Sequence, residues 1–360
     1  MVVFIRADAS TAIGTGHIVR CATLAEMLRE CGAEICFISR DLPGDMCAWC
    51  ESKGYTVYRL PWSNPAVAEN RNYAKYDLIV ADAKDSIKTM RTTQKLIDWV
   101  IVDHYQLDAN WERMVKETVK RVMVIDDLAD RMHDCDIILD QNLVRNFERR
   151  YDKLVPAECK KLLGPRFALL RKEFIHVRKQ LKEKDGKIKR IFIFFGGSDP
   201  TGETIKALQA LQMIGRTDLL VDVVVGAANP NQFRIKERCT TMSNVNFHLQ
   251  IDNMAELMAG ADLAIGAGGT NTWERCFLGV PTITVITADN QWETTTELAK
   301  RGAAWLVGKA ACVSSGVLAN RLRGILNNPS EVKDIGEKAM RLMDGAPFGP
   351  DNLDDLMRIQ

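Results

Sequence analysis

Nowhere in the 360 residues does an apolar run approach the roughly 18 residues that a membrane-crossing helix needs. The opening segment, MVVFIRAD, meets a charge at Arg6, so its apolar stretch is too short for the core of a secretion signal. The expectation is a cytoplasmic protein with no membrane partner. An excess of either charge is missing too. Lysine plus arginine number 48 against 47 acids, for a net charge of +1. That balance gives no electrostatic reason to expect nucleic acid or an acidic membrane surface. Low-complexity segments and short-period repeats are also absent. Cysteine is not scarce: there are ten, scattered through apolar segments such as CFISR and WERCFLG, where cysteine behaves as a small buried hydrophobe. The CxxC pair Cys47 and Cys50 lacks a second pair, a neighbouring histidine or a redox-type βαβ setting. It is taken as incidental, and the thiols as reduced.

What is present is a long alternation of strand-like and helix-like segments, the mark of an α/β fold with parallel sheets. A chain of 360 residues exceeds the usual reach of one core, so two domains are expected. Strands are expected at VVFIRAD, EICFIS, TVYRL, DLIVAD, WVIVDH, RVMVIDD and DIILDQN in the first half. RIFIFFGG, LLVDVVVG, NVNFHLQ, DLAIGAGG, PTITVIT and AAWLV follow in the second. In IVRCATLAEMLREC, Cys21, Leu24, Ala25, Leu28 and Cys31 fall on one helix face. The stretch 171–189 is dominated by charge and contains no strand. It is therefore placed as a linker between a domain at 1–170 and one at 190–345, with a closing helix in 346–360. Two Rossmann-like domains in tandem would face a cleft, the usual place for a ligand.

The first loop, IGTGHIVR, does not meet the dinucleotide fingerprint, because Val19 stands at the third glycine position and Asp41 is only loosely placed for a ribose. What it offers is a strand, a tight turn and a helix that begins near His17. Gly14 and Gly16 permit positive φ and close approach of a substrate. A helix N-terminus disfavours the protonated imidazole, which suits His17 to take a proton from water; a histidine that merely caps or packs the helix is the alternative. Strand ends in the same half carry Arg6 and Asp8, then Asp103, His104 and Tyr105, then Asp126 and Asp127. Such ends bind ligands in open α/β sheets, while a buried ion pair is the competing reading for Arg6 and Asp8. Asp126 and Asp127 have no third and fourth oxygen ligand suitably spaced, so no metal and no cofactor are expected.

In the second half, FFGGSDPTGE leads from a strand through Gly197, Ser198 and Asp199, with Pro200 at an expected helix start. The stretch DLAIGAGGTNTWERCF brings Gly266, Gly268 and Gly269 before Thr270 and Asn271, with Glu274 in the first helical turns. Both turns suit phosphate, and a carboxylate at Glu274 can accept both hydroxyls of a ribose; simple complementing of the helix dipole is the alternative for Glu274.

Together RADASTAIGTGHIVRCATLAEML, VDHYQLD, IDDLADR, GPRFALLRKEF, FFGGSDP and GAGGTNTWERCFLGVPTITVITADNQ span nearly the whole chain. In these motifs the sequence resembles the UDP-sugar hydrolases of pseudaminic acid biosynthesis. That family has the two-domain fold of the GT-B glycosyltransferases and is similar to the enzyme that adds GlcNAc to the lipid II precursor. The resemblance implies UDP in the second half, with Gly197, Ser198 and Gly268 to Asn271 near the diphosphate and Glu274 on the ribose. It also implies the backbone of Ile251 to Met254 against uracil, and Asn290 and Gln291 by the phosphates and sugar. Gly14, Gly16 and Arg6 are expected on the sugar and phosphate side. The family's histidine activates water, which attacks the anomeric carbon with inversion and without a metal. That role maps onto His17 with Tyr105 beside it, and Asp8 is the expected orienter of the imidazole. The two-domain arrangement would let a monomer work. A glycosyltransferase on the same UDP-sugar seat and a non-catalytic UDP-sugar binding module are the rival readings.

Overall fold

The computed structural model describes residues 1–61, 75–345 and 348–357. They group into two compact units, one within Met1–Asn142, Asn146–Leu169 and Phe348–Gln360, the other Leu143–Arg145 and Leu170–Pro347.

The first unit is built on seven parallel strands, β1 (Val2–Ala7), β2 (Glu34–Arg40), β3 (Thr56–Leu60), β4 (Ile97–Asp103), β5 (Val119–Ile125), β6 (Ile137–Asp140) and β7 (Lys160–Leu163), in the order β3-β2-β1-β4-β5-β6-β7. Side chains alternate along each strand, and both faces of the sheet are covered. Val3, Ile5 and Ala7 of β1 join one apolar cluster with Leu24 and Leu28 of the helix Gly16–Glu30. Phe4 joins the other with Ile38, Val100 and Val102. That two-sided burial is why the strands are near-continuous apolar runs. The helix Pro350–Met357 closes the unit, with Leu353 fully buried and the Trp99 Nε1–H donating to the Met357 carbonyl at 3.3 Å.

Two local expectations are corrected. DLIVAD is not a strand but part of the helix Lys75–Thr92. The residues it buries, Ile79, Asp82, Ala83, Ser86 and Met90, fall on one face at spacings of three and four, a helical period that a six-residue apolar window hides. β7, KKLL, was not foreseen; it is a four-residue edge strand whose first two side chains are exposed lysines.

The second unit repeats the plan with six parallel strands, β8 (Arg190–Phe194), β9 (Leu220–Val225), β10 (Val245–Leu249), β11 (Leu263–Ala267), β12 (Thr282–Ile286) and β13 (Trp305–Lys309), ordered β10-β9-β8-β11-β12-β13. The charged stretch that follows residue 170 belongs to this unit and contributes the helix Lys172–Arg178, whose Phe174 is fully buried. In both units the strand order reverses once, between β1 and β4 and between β8 and β11. Loops leaving the carboxyl ends of those strand pairs splay apart there, which makes the reversal the usual ligand position of a doubly wound sheet. Among the described residues no helix is long and apolar enough to cross a membrane.

Beyond the ends of β5 and β6, a buried polar cluster replaces apolar packing. His133, 2% exposed, contacts Glu112 Oε1 through Nδ1 at 2.6 Å and faces Asp126 Oδ2 through Nε2 at 3.8 Å. Burial alone would lower its basicity, but Asp126 and Glu112 overcome that and raise it to about 9. The protonated ring thus stabilises the fold fully below the ordinary imidazole value, and that stabilisation is lost as pH rises through the raised one. Wild type is expected to lose roughly 3 kcal/mol of its stability advantage over His133→Gln between about pH 6.5 and 9. Urea unfolding of both proteins across that range checks it; parallel pH profiles would refute the assignment.

Candidate active site

At the reversal in the first unit, β1 runs into a tight loop before the helix Gly16–Glu30. Ser10 Oγ accepts the N–H groups of Ala12 and Ile13, and the Gly14 N–H donates to the Ser10 carbonyl at 2.8 Å. Gly14 takes φ +83°, which favours glycine; Gly16 has no positive φ and simply opens the helix. This loop puts His17 in the first helical turn, 6% exposed, beside the end of β4.

There His17 Nδ1 meets Asp103 Oδ1 at 2.5 Å, and Asp103 is completely buried. Arg20, one turn along the helix, donates to both oxygens of Asp103, through Nε at 2.5 Å and Nη2 at 2.6 Å, and through Nη1 to Asp127 Oδ2 at 2.8 Å. Burial works against the charge of Asp103, but Arg20 and His17 win and hold its carboxyl well below the usual carboxylate range. An ionised carboxylate only accepts, so Nδ1 carries the imidazole proton and the lone pair lies on Nε2. Arg20 Nη2 lies 3.3 Å from Nδ1, yet its stronger bond is the shorter one to Asp103. Tyr105 stands edge-on to His17 with ring centroids 4.5 Å apart, and its hydroxyl donates to Asp127 Oδ2 at 3.3 Å. Burial, then Asp127, push the Tyr105 phenol well above its usual range, so it acts as a neutral donor.

Asp8 is not the orienter of His17. It belongs with Arg6 to a neighbouring cluster. The Arg6 guanidinium, wholly buried, donates to Asp8 at 2.5 and 2.8 Å and to Asp82 at 2.7 and 3.1 Å. Arg40, the Trp111 indole and the Ser86 hydroxyl also donate to Asp82. The buried ion pair is therefore the better account of Arg6, which turns no surface to a sugar or phosphate. Asp8 instead faces His104, with Nε2 to Oδ2 at 3.3 Å.

The second unit presents two turns at its own reversal. After β8, Gly197 approaches the turn after β9 so closely that a Cβ on Gly226 would lie 2.3 Å from the Gly197 carbonyl oxygen. The following helix begins at Glu203, not at Pro200. Asp199 reaches forward to accept the N–H groups of Glu203 and Thr204, each at 2.9 Å. The chain thus caps this helix itself, and the expected phosphate turn shrinks to Gly197 and the half-buried Ser198.

After β11 the turn is different. Thr270 precedes the helix Asn271–Phe277 with no side-chain cap. Gln291 closes over Gly268 and Gly269: Cβ atoms built there would lie 3.3 Å from its Cβ and 3.8 Å from its Nε2, respectively. Its amide is folded back on Thr287, with 3.0 Å from the Thr287 N–H to Oε1; Asn290 precedes it in the same short turn, Asp289–Gln291. Glu274, 6% exposed, takes Arg171 Nε on Oε1 at 2.8 Å and Asn271 Nδ2 on Oε2. Each carboxylate oxygen accepts more than one hydrogen bond, so the two remain competent toward a diol. Arg171 also pairs with Glu173 at 2.7 Å, and Glu173 is bonded to the backbone of Ala255 beside Met254. Through these residues Glu274 is joined to Ala255, which directly follows the Ile251–Met254 segment. Arg171, Glu173, Asp103 as the histidine's partner, and Arg20 were not assigned from the sequence. The i, i+3 spacing of His17 and Arg20 on one helix face was the signal available for the last.

Residues 190–344 match the glycosyltransferase family 28 C-terminal domain. The chain is 28% identical over 302 residues to an uncharacterized protein, MJ1062, of Methanocaldococcus jannaschii, covering 81% of this chain and 57% of that protein, so it spans little more than half the length of that relative. It is 27% identical over 305 residues to the UDP-2,4-diacetamido-2,4,6-trideoxy-beta-L-altropyranose hydrolase of Campylobacter jejuni, covering 84% of this chain and 97% of that enzyme. The crystal structure of Acinetobacter baumannii MurG superimposes with a TM-score of 0.65 at 17% identity over 99% of both chains, which shows the α/β two-domain fold of the GT-B glycosyltransferases. The resemblance carried by the motifs is borne out: the chain is similar to this UDP-sugar hydrolase over nearly the full length of that enzyme.

Proposed function

We propose that the protein hydrolyses a UDP-linked 2,4-diacetamido-2,4,6-trideoxy sugar, as a step toward pseudaminic acid. The observation that carries the reading is the His17–Asp103 pair at the strand-order reversal, in a chain similar to an enzyme of that activity. The second unit holds UDP, with Glu274 on the ribose, the segment Ile251–Met254 at the base, and Gly197, Ser198 and Gly268 to Asn271 at the diphosphate. Gln291 and Asn290 lie toward the phosphates and sugar. The first unit supplies the base.

Asp103 keeps the Nδ1 proton in place, so His17 Nε2 takes a proton from water as the water oxygen bonds to the anomeric carbon. The bond from that carbon to the UDP oxygen breaks on the opposite face, the configuration inverts, and the electron pair leaves with UDP. Donors around the diphosphate stabilise the charge that develops there. Tyr105, a neutral hydroxyl beside the imidazole, limits where water and sugar sit. No step requires a metal, because a side chain provides the base.

Turnover of the UDP-linked diacetamido sugar in ¹⁸O-water with EDTA tests this. Label in the free sugar, with unlabelled UDP, is the expected result. Label in the phosphate would overturn anomeric attack, and turnover only after addition of an acceptor would replace hydrolysis by glycosyl transfer.

A further inference from the structure

Behind the turn that follows β11 lies a buried cation that makes no direct ion pair among the described residues, with Glu274 acting on it only at longer range. Arg275 sits on the helix Asn271–Phe277 at 2% exposure. Its Nη2 donates to the Ala267 carbonyl at 2.6 Å and to Thr272 Oγ1 at 3.2 Å, while Nε has no partner. Among the described residues it is in no ion pair. The contrast with the other buried arginines is sharp: Arg6 lies between Asp8 and Asp82, and Arg20 between Asp103 and Asp127. The chain makes room for this guanidinium. A Cβ on Gly266 would stand 3.0 Å from Nη1 and 2.6 Å from the Phe194 carbonyl oxygen. A second orphan lies at the same turn, since Thr295 Oγ1 is fully buried without a partner and a Cβ on Gly268 would come within 2.2 Å of it.

Burial lowers Arg275 to about 10, so it is still a cation at neutral pH. A buried charge without a directly bonded counter-charge destabilises a fold unless something further offsets it, and unsatisfied buried donors call for an explanation such as a missing ligand. Two such groups converging on one glycine turn point to an anionic ligand.

We propose that Arg275 is the electrostatic anchor of the nucleotide's diphosphate, holding a fixed positive charge behind the Gly266–Gly269 turn that the bound anion completes. This rests on the reading that the second unit binds UDP. Arg275 is a positioning residue that acts through the turn, and its charge also favours departure of UDP.

Calorimetric titration of UDP and of uridine into the full-length wild type, Arg275→Met, Arg275→Gln and Arg275→Lys tests it. Arg275→Met and Arg275→Gln are expected to weaken UDP roughly tenfold to a hundredfold, leave uridine unchanged, and melt no lower than wild type without ligand. Arg275→Gln keeps a donor for the Ala267 carbonyl, so it separates charge from hydrogen bond. Arg275→Lys is expected to retain most of the UDP affinity. Equal weakening of UDP and uridine, a variant that fails to fold, or UDP affinity unchanged in both neutral variants would overturn the proposal and make Arg275 a brace of the turn. A wild type that binds neither compound would instead overturn the nucleotide reading itself.

Discussion

His17→Ala will lower kcat for hydrolysis of the UDP-sugar by about 10²–10⁴-fold, the usual contribution of a positioned general base, and will leave the affinity for UDP unchanged. The split follows from the structure. The imidazole lies in the first unit, while the residues assigned to the nucleotide lie in the second. The fold should tolerate the change, because Arg20 still satisfies both oxygens of Asp103 when the ring is gone. Steady-state kinetics with UDP as product inhibitor measure both halves of the prediction at once. A kcat within threefold of wild type would remove His17 from the reaction, and a large loss in UDP affinity would mean that its role is binding rather than proton transfer.

Much of this arrangement was legible in the sequence, and the omissions have a common cause. The central strands β8, β11 and β12 were legible because a strand covered on both faces must be apolar throughout. His17 was legible because strand end, glycine turn and helix start are local features, all lying between Ala7 and His17. Its partner was not. Asp103 stands 86 positions away, and as the one acid of VDHYQ it competes with Asp8, equally well placed at a strand end. Only the pairing of β1 with β4, which sets Ala7 opposite Asp103, decides the matter. Asp8 is drawn elsewhere because a fully buried guanidinium at Arg6 requires carboxylates around it. Asp82, the second of them, was hidden inside a run mistaken for a strand. Arg171 was passed over for a related reason: a charged segment suggests solvent, and nothing local shows that one of its arginines is committed to Glu274, 103 residues on. Composition identifies where charge is, and topology identifies which charge it meets.

Asp103→Asn is the variant in which that long-range pairing carries the most. Shape is preserved, but the amide presents a donor where the carboxylate only accepted. If that N–H points at His17, the imidazole must accept on Nδ1 and place its proton on Nε2, where the lone pair is needed. The expected loss in kcat is about 10³–10⁴-fold, comparable to what a wrong tautomer costs a catalytic triad. A second consequence is separable. Arg20 loses the negative charge that both its Nε and Nη2 edges contact and keeps only Asp127. Removing one member of a buried ion pair costs about 3–5 kcal/mol, with the lower end expected here because Asp127 remains. Urea unfolding measures that term, and the double variant His17→Ala/Asp103→Asn apportions the kinetic one. If Asp103 acts through the imidazole, adding Asp103→Asn to His17→Ala lowers kcat little further, since groups that act as a unit are not additive. Full multiplication of the two losses would give Asp103 a role of its own in the reaction, and a kcat within tenfold of wild type in Asp103→Asn alone would sink the orienting role.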